Sequence, residues 1–407
     1  MEIGETYELE IEKLIYGGEG IGRVNQQAVF VAYAAPGDRV RVKITKLERN
    51  FARGVIEEIL VPSTARRKAP CQHFGVCGGC QLQHLNYDTQ LQAKAEFISS
   101  ALQRIGGIQW EEKIEILSAD EFGYRSRAEI KIQRSEDGIP NLGFFKANSH
   151  EVCSITECPV LLPEANRALQ RLHAKPKLVP KRATRIFLAV SDDETVMVPA
   201  TGENSKAAEI DAQGTIHQSI AGFEYAFGSR SFFQGNRLLI EQLVATATDD
   251  ASGAIAFDLY AGAGLFSLPI AKHFEQVYAV EGSKLSGNHG INNSKANKIK
   301  NVQFDLKSVE AWLKYDAPKL PRPDWVILDP PRAGAGEIVV NRLMELKPVR
   351  ITYVSCDPAT LARDLKIFTK TSYKIDSIVG LDMFPQTYHV ETVVKLSVLE
   401  KAEARTQ

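Results

Sequence analysis

Cys356 ends a β-rich run that begins at Tyr353, and a proline and a helical pattern follow it as far as Asp364. The run reads as a strand that carries a thiol to its carboxyl end. In open α/β sheets, ligands and reacting groups gather at that end, because the loops there converge on one crevice. Most free cysteines are simply small buried apolar residues. Two features favour a nucleophile here. Pro358 suits the first turn of a helix, and the amino end of that helix, lying near Cys356, favours thiolate.

A second group of thiols has a different spacing. Cys71, Cys77 and Cys80 fall within ten residues, and Gly78 and Gly79 let the backbone fold tightly around a ligand. Cys153 and Cys158 follow downstream. Six cysteines make an even count, but clustering in a chain of this size points to metal or chemistry rather than disulfides. Three thiolates leave a fourth ligand wanting, with Cys153, Cys158, His73 and His84 as candidates. By ligand count, zinc fits four sulfurs as well as an iron–sulfur cluster does.

Three acids occupy strand ends. The run Ala254–Asp258 leads into a loop carrying Gly262 and Gly264, and about twenty residues on a second strand ends in Glu281. A glycine pair after a strand is a weak sign alone, but an acid at this distance can accept hydrogen bonds from two ribose hydroxyls. Asp329 ends another apolar strand and is followed by Pro330, Pro331 and Arg332. Asp329–Arg332 resembles the Asp/Asn-Pro-Pro-aromatic loops of amino methyltransferases, but with Arg332 in place of the aromatic the resemblance implies that the target is not an exocyclic amine. Glu391 opens a terminal strand, just after His389.

The elements that must position these groups follow from the pattern. At 407 residues the chain exceeds one usual core, so two or three domains are expected. An apolar fraction of 44% and a charged fraction of 24% are ordinary for a soluble protein. No apolar run approaches a bilayer span and the amino terminus is acidic, so a cytoplasmic protein is expected, without membrane contact. Net charge is −1, which leaves nucleic-acid binding to local basic clusters such as Arg66, Arg67 and Lys68, or Arg125, Arg127 and Lys131. Residues 1–62 alternate with period two between glycine- and proline-rich turns, predicting a small antiparallel barrel. Residues 87–105 predict a helix with Leu91, Ala95, Ile98, Leu102 and Ile105 on its packing face, ended by Gly106 and Gly107. From about 115 to 230 the pattern is β-rich, with a sheet expected to be basic on one side. From Ser231 onward strands alternate with helices, as in a parallel doubly wound sheet.

Several of these segments resemble known families. Gly17–Arg23 and Pro36–Asp38 resemble the TRAM domain, an OB-like RNA-binding barrel. The cysteine spacing, with Cys158-Pro159-Val160 downstream, resembles the iron–sulfur site of RNA uracil-5-methyltransferases. Together with Ser355–Asp364 and Asp329–Gly334, the chain resembles the S-adenosylmethionine-dependent members of that family. The nearest branch joins a TRAM domain to an iron–sulfur cluster and modifies 23S rRNA. The resemblance implies a 4Fe-4S cluster on Cys71, Cys77, Cys80 and Cys158, with Cys153 a plain buried residue. It implies cofactor contacts from Gln234, Tyr260, Glu281 and Asp329, attack on uracil carbon 6 by Cys356, and proton removal by Glu391. The chain departs from the family pattern at Ser308, where an acid or amide often contacts adenine, and at Ala261, Ala263 and Leu265 in the glycine loop. Asp357 stands where Asn is also common.

The expected fold is therefore multidomain. A TRAM barrel spans residues 1–62, and a central iron–sulfur-bearing domain spans 63–82 and 115–230. A Rossmann-like methyltransferase domain spans 83–114 and 231–407. A monomer acting on 23S rRNA is expected. The alternatives are the same chemistry on tRNA, or an RNA-binding protein that has lost activity.

Overall fold

The structure, a computed structural model, describes residues 1–200, 214–370 and 372–399. The period-two alternation near the amino terminus folds as β1 (Thr6–Glu10), β2 (Lys13–Leu14), β3 (Gly20–Val24), β4 (Gln27–Val31), β5 (Arg39–Leu47) and β6 (Phe51–Val61). They form one sheet in the order β1-β5-β6-β4-β3-β2, curled over Leu9, Val29, Val31, Val40, Val42 and Ile44. The expected antiparallel pairing holds at every contact except one: β4 runs parallel to β6. Glycine is required where strands cross closely, since a Cβ on Gly54 would lie 2.2 Å from Val42 Cγ1. The Pro36–Asp38 turn is locked by the buried Asp38 carboxylate, which accepts from Ala35 N, Ser63 N and the Arg66 guanidinium. Arg66 is thus a structural tie rather than part of a free basic face.

Helix α1 (Tyr87–Ala101) is capped by Asn86, whose side chain accepts from Thr89 N, and its last turn ends at Gly107 with φ +65°. The expected packing face holds in part: Ile98 and Leu102 are buried and Ala95 packs against the core. Gln90, Ala93, Lys94, Phe97 and Ile98 are buried, while Ile105 is exposed. Apolar periodicity alone misses part of this face because two of its members are polar and find partners across the interface: Lys94 pairs with Asp382, and Gln90 bonds Gln386.

Strand β7 (Glu115–Leu117) joins the large sheet described below. The middle of the chain forms β8 (Arg127–Arg134), β9 (Pro140–Phe145), β10 (Val152–Ser154), β11 (Arg185–Val190) and β12 (Thr195–Ala200), in the order β10-β9-β8-β11-β12. Helix α2 (Pro163–Ala174) buries Ala165, Leu169 and Leu172 against this sheet. The expected basic side is largely spent on internal ties. Arg127 donates to the carbonyls of Gly228, Ser229 and Ser231, and burial brings it down to about 10. Lys131 and Arg185 both pair with Glu129.

The hairpin β13 (Thr215–Ile220) and β14 (Phe223–Gly228), expected in the central domain, packs its Ile216, Phe223 and Phe227 into the core of the carboxyl-terminal half. That half comprises α3 (Ile240–Thr248), β15 (Gly253–Leu259), α4 (Ser267–Ile270), β16 (Phe274–Val280), α5 (Lys284–Ala296), β17 (Val302–Asp305), α6 (Val309–Tyr315), β18 (Trp325–Leu328), α7 (Gly336–Leu346), β19 (Arg350–Ser355), α8 (Pro358–Thr369), β20 (Tyr373–Leu381) and β21 (Glu391–Val398). The sheet order is β17-β16-β15-β18-β19-β21-β20-β7. Strands β15 to β19 are parallel, as their near-continuous apolar runs predict. Strand β21 breaks that pattern, running antiparallel between β19 and β20. This inversion brings the start of the last strand to the carboxyl edge of β19.

Candidate active site

Register alone gathers the acids and the thiol. Leu259 pairs with Val280 and with Leu328, and Leu328 with Tyr353. The residues just beyond these pairs, Tyr260, Glu281 and Asp329, therefore emerge side by side at the carboxyl edge. Ser355 is opposite Thr392 in the antiparallel pair, so Cys356 leaves the sheet beside Glu391. The turn that carries Tyr260 is tight enough to hold it at φ +65°.

Around the thiol the electrostatics are mostly negative. Burial first, then Glu391 and Asp329, push Cys356 up to about 12, with Arg332 pulling the other way. This works against the thiolate that the helix end was expected to favour. The amino end of α8 is present with Pro358 in its first turn, but Asp357 caps it, accepting from Ala359 N and Thr360 N and adding its own charge next to the sulfur. Glu391 is 2% exposed, and its Oε1 has no hydrogen-bond partner. Burial and Asp329 raise it well above the carboxylate range, and Arg332 opposes them. Asp329 is raised too, to about 7, by burial. His389 goes the other way, down to about 4, because it is buried beside cations including Arg332.

Next to this group lies a cradle for a nucleotide-like ligand. The Glu281 carboxylate accepts from Gly262 N at 2.9 Å and Ser283 N at 2.5 Å, which ties the glycine turn to the end of β16. Gly262 has φ +57° and open space where a Cβ would stand, leaving the turn bare toward solvent. Gln234 lines a cavity of about 340 Å³ with Tyr124, Phe232, Met383 and Phe384. Ser308 caps α6 by accepting from Ala311 N. The nearest strand-end acid on that side is Asp305, which accepts from the Trp312 indole at 2.7 Å.

Cys71, Cys77, Cys80 and Cys158 all line one larger cavity of about 900 Å³, together with His73, Tyr33, Arg125 and Tyr388. Cys153 is buried outside that lining, its sulfur 3.8 Å from His73 Nδ1. His84 is turned away, with Nε2 facing Ala34 O, and burial lowers it to about 4. Among the described residues no group of three or more His, Cys, Asp or Glu side chains is arranged to hold a single metal ion. Four thiols around one cavity are the donor type and number that an iron–sulfur cluster takes. Burial raises Cys80 to about 12 and Cys158 to about 11, and neighbouring thiols add to it. Bound cations would offset that charge.

Two further acids at the site, Asp258 and Asp364, were not among the expected residues. Asp258, one strand position before the glycine turn, is fully buried; Oδ2 accepts from Ser267 and Oδ1 has no partner. Burial lifts it to about 7, with Asp329 and Glu281 adding to the shift. Asp364 on α8 accepts from Ala335 N and the Tyr353 hydroxyl, binding the loop after Asp329 to the helix that follows Cys356. A strand-end acid at 258 could have been noticed; the partners of Asp364 lie too far along the chain.

Comparison with known proteins adds independent information. Residues 1–56 match the TRAM domain family. Residues 211–317 and 321–399 match the family described as tRNA (Uracil-5-)-methyltransferase. A relative from Aquifex aeolicus, named as an uncharacterized RNA methyltransferase, is 32% identical over 96% of this chain and 98% of its own length. One from Vibrio campbellii, named 23S rRNA (uracil(1939)-C(5))-methyltransferase RlmD, is 32% identical over 95% of this chain and 94% of its own. Among solved structures, the Pyrococcus abyssi tRNA (uracil-54, C5)-methyltransferase in complex with S-adenosyl-L-homocysteine is similar, with a TM-score of 0.72 and 26% identity. That match covers 95% of this chain and all of the other.

Proposed function

The chain belongs to the S-adenosylmethionine-dependent RNA uracil-5-methyltransferases, and on that premise we propose that it methylates carbon 5 of a uridine in 23S rRNA, with Cys356 as nucleophile and Glu391 as base. The observation that carries the reading is the buried Glu391 carboxyl, with Oε1 unpartnered, set beside the thiol at the carboxyl edge of the described sheet. Carbon 5 of uracil is a weak nucleophile. Addition of the Cys356 thiolate to carbon 6 moves the ring electrons onto oxygen 4 and makes carbon 5 nucleophilic. Bound S-adenosylmethionine supplies the electrophilic methyl group. Glu391 then takes the proton from carbon 5, the carbon 5–carbon 6 double bond re-forms, and Cys356 leaves as thiolate. The target base has to be flipped into the pocket.

In this reading Glu281, Tyr260, Gln234 and Asp329 hold the cofactor, with Asp329 also near the uracil edge. Arg332 favours the anionic forms of both Cys356 and Glu391. A 4Fe-4S cluster on Cys71, Cys77, Cys80 and Cys158 suits their shared cavity. The TRAM barrel and central sheet would hold RNA by phosphate contacts and stacking. Choice of 23S rRNA follows the relatives of that name, whereas the similar solved structure acts on tRNA. Mapping 5-methyluridine in rRNA and tRNA from cells lacking the protein tests it: loss of one rRNA mark supports the reading, and loss of a tRNA mark alone overturns the substrate.

A further inference from the structure

We propose that Tyr16, which belongs to the N-terminal sheet, is a positioning residue of the catalytic site and bridges the nucleophile to the loop that carries the base. The proposal rests on the assignment of Cys356 as nucleophile. Tyr16 lies in the β2–β3 connection, and the glycines after it, at φ +110° and +85°, press this turn into the rest of the molecule. A Cβ on Gly18 would stand 3.0 Å from Gln81 Cβ and 3.7 Å from Tyr388 Cβ, so the approach needs glycine. The Tyr16 ring meets Phe97 edge-on at 5.9 Å and Tyr388 at 5.2 Å. Its hydroxyl donates to Asp357 Oδ2 at 3.2 Å.

Tyr16 thus touches both catalytic arms. Tyr388 is three residues before Glu391. Asp357 follows Cys356 and uses its other oxygen to cap α8. The groups facing the thiol are Glu391 at the start of β21, Asp329 and Arg332 on the loop after β18, Asp357 at the cap of α8, and Tyr16 from the N-terminal sheet. A phenol donating to Oδ2 draws Asp357 charge away from the sulfur and fixes the carboxylate on the helix end. Docking of the N-terminal sheet thereby sets the geometry and reactivity of Cys356.

The test uses full-length protein. Tyr16→Phe keeps both ring contacts and removes only the hydroxyl. The rate of Cys356 alkylation by iodoacetamide, followed by peptide mass spectrometry across pH, should fall and its profile move to higher pH. With an unmodified 23S rRNA transcript, kcat should fall about tenfold, as for loss of a hydrogen bond to a charged acceptor, while KM for RNA and cofactor affinity hold. Tyr16→Ala, which also removes the ring contacts, should lose more. Wild-type alkylation and kcat in Tyr16→Phe would overturn the proposal. So would an effect confined to KM for RNA, which would make Tyr16 an RNA contact, or a lowered melting temperature alone. A Cys356→Ala enzyme that still methylates would instead overturn the nucleophile assignment.

Discussion

Replacing Glu391 with glutamine isolates the last chemical step. The change is nearly isosteric and removes a carboxyl that is 2% exposed with one unpartnered oxygen, so packing should survive. Stability should not suffer near neutrality. A carboxyl raised in the folded state contributes fully below its unfolded value, and that contribution is lost as pH rises toward the folded value. Glutamine has no such loss, so the variant should melt at or above the wild-type temperature at pH 7 to 8. Catalysis should fare differently. A positioned base contributes about 10²- to 10⁴-fold, so turnover should fall by that factor. Attack and methyl transfer precede the base, however, so one equivalent of RNA should still be methylated and stay attached. Mass spectrometry should find protein, RNA and one methyl group joined through Cys356. His389, held near 4 by burial and adjacent cations, is too weak a base to substitute. Normal turnover by Glu391→Gln would refute the assignment, and a trapped adduct lacking the methyl group would show that Glu391 acts earlier.

Three further outcomes are expected. Glu281→Ala should weaken S-adenosylmethionine binding at least tenfold by calorimetry, since hydrogen bonds to a charged acceptor contribute about 1.5–3 kcal/mol and the glycine turn loses its tie at Gly262 N; unchanged affinity would overturn the ribose role. Protein purified without oxygen should be brown and contain iron and sulfide, and Cys158→Ser should bleach it, whereas stoichiometric zinc without iron would reject the cluster. Asp258, raised to about 7 by burial, should cost the fold up to about 4 kcal/mol as pH rises from 4 to 7. Asp258→Asn should flatten that slope in urea titrations, and an unchanged slope would place the pH dependence elsewhere.

Much of the fold was legible because each half obeys one period. Alternation of period two marked β1, β4, β5 and β6, and apolar runs ending in acids marked β15, β16 and β18. Polar partners far apart in sequence were not legible. The burial of Lys94 makes sense only once Asp382 is across from it, and Arg127 looks like a surface cation until its carbonyl partners are known. The same holds for β13 and β14, whose period-two pattern says nothing about which core they join.

The thiol shows the limit most sharply. Sequence placed Cys356 at the end of β19 and before the first turn of α8, and both placements hold. The inference from them, that the helix end favours thiolate, took the end as free. Asp357 occupies it with a carboxylate, and Glu391 and Asp329 are close by, so three acids outweigh one partial dipole. Two of the acids that raise the thiol, Glu391 and Asp329, are the ones proposed above as base and cofactor contact. In the proposed chemistry, a site that removes a proton from carbon 5 and binds a sulfonium is anionic, and that charge works against the thiolate. Arg332 is the cation that opposes this at both Cys356 and Glu391. This accounts for an arginine after the two prolines, where a base-stacking aromatic would leave the acids unopposed.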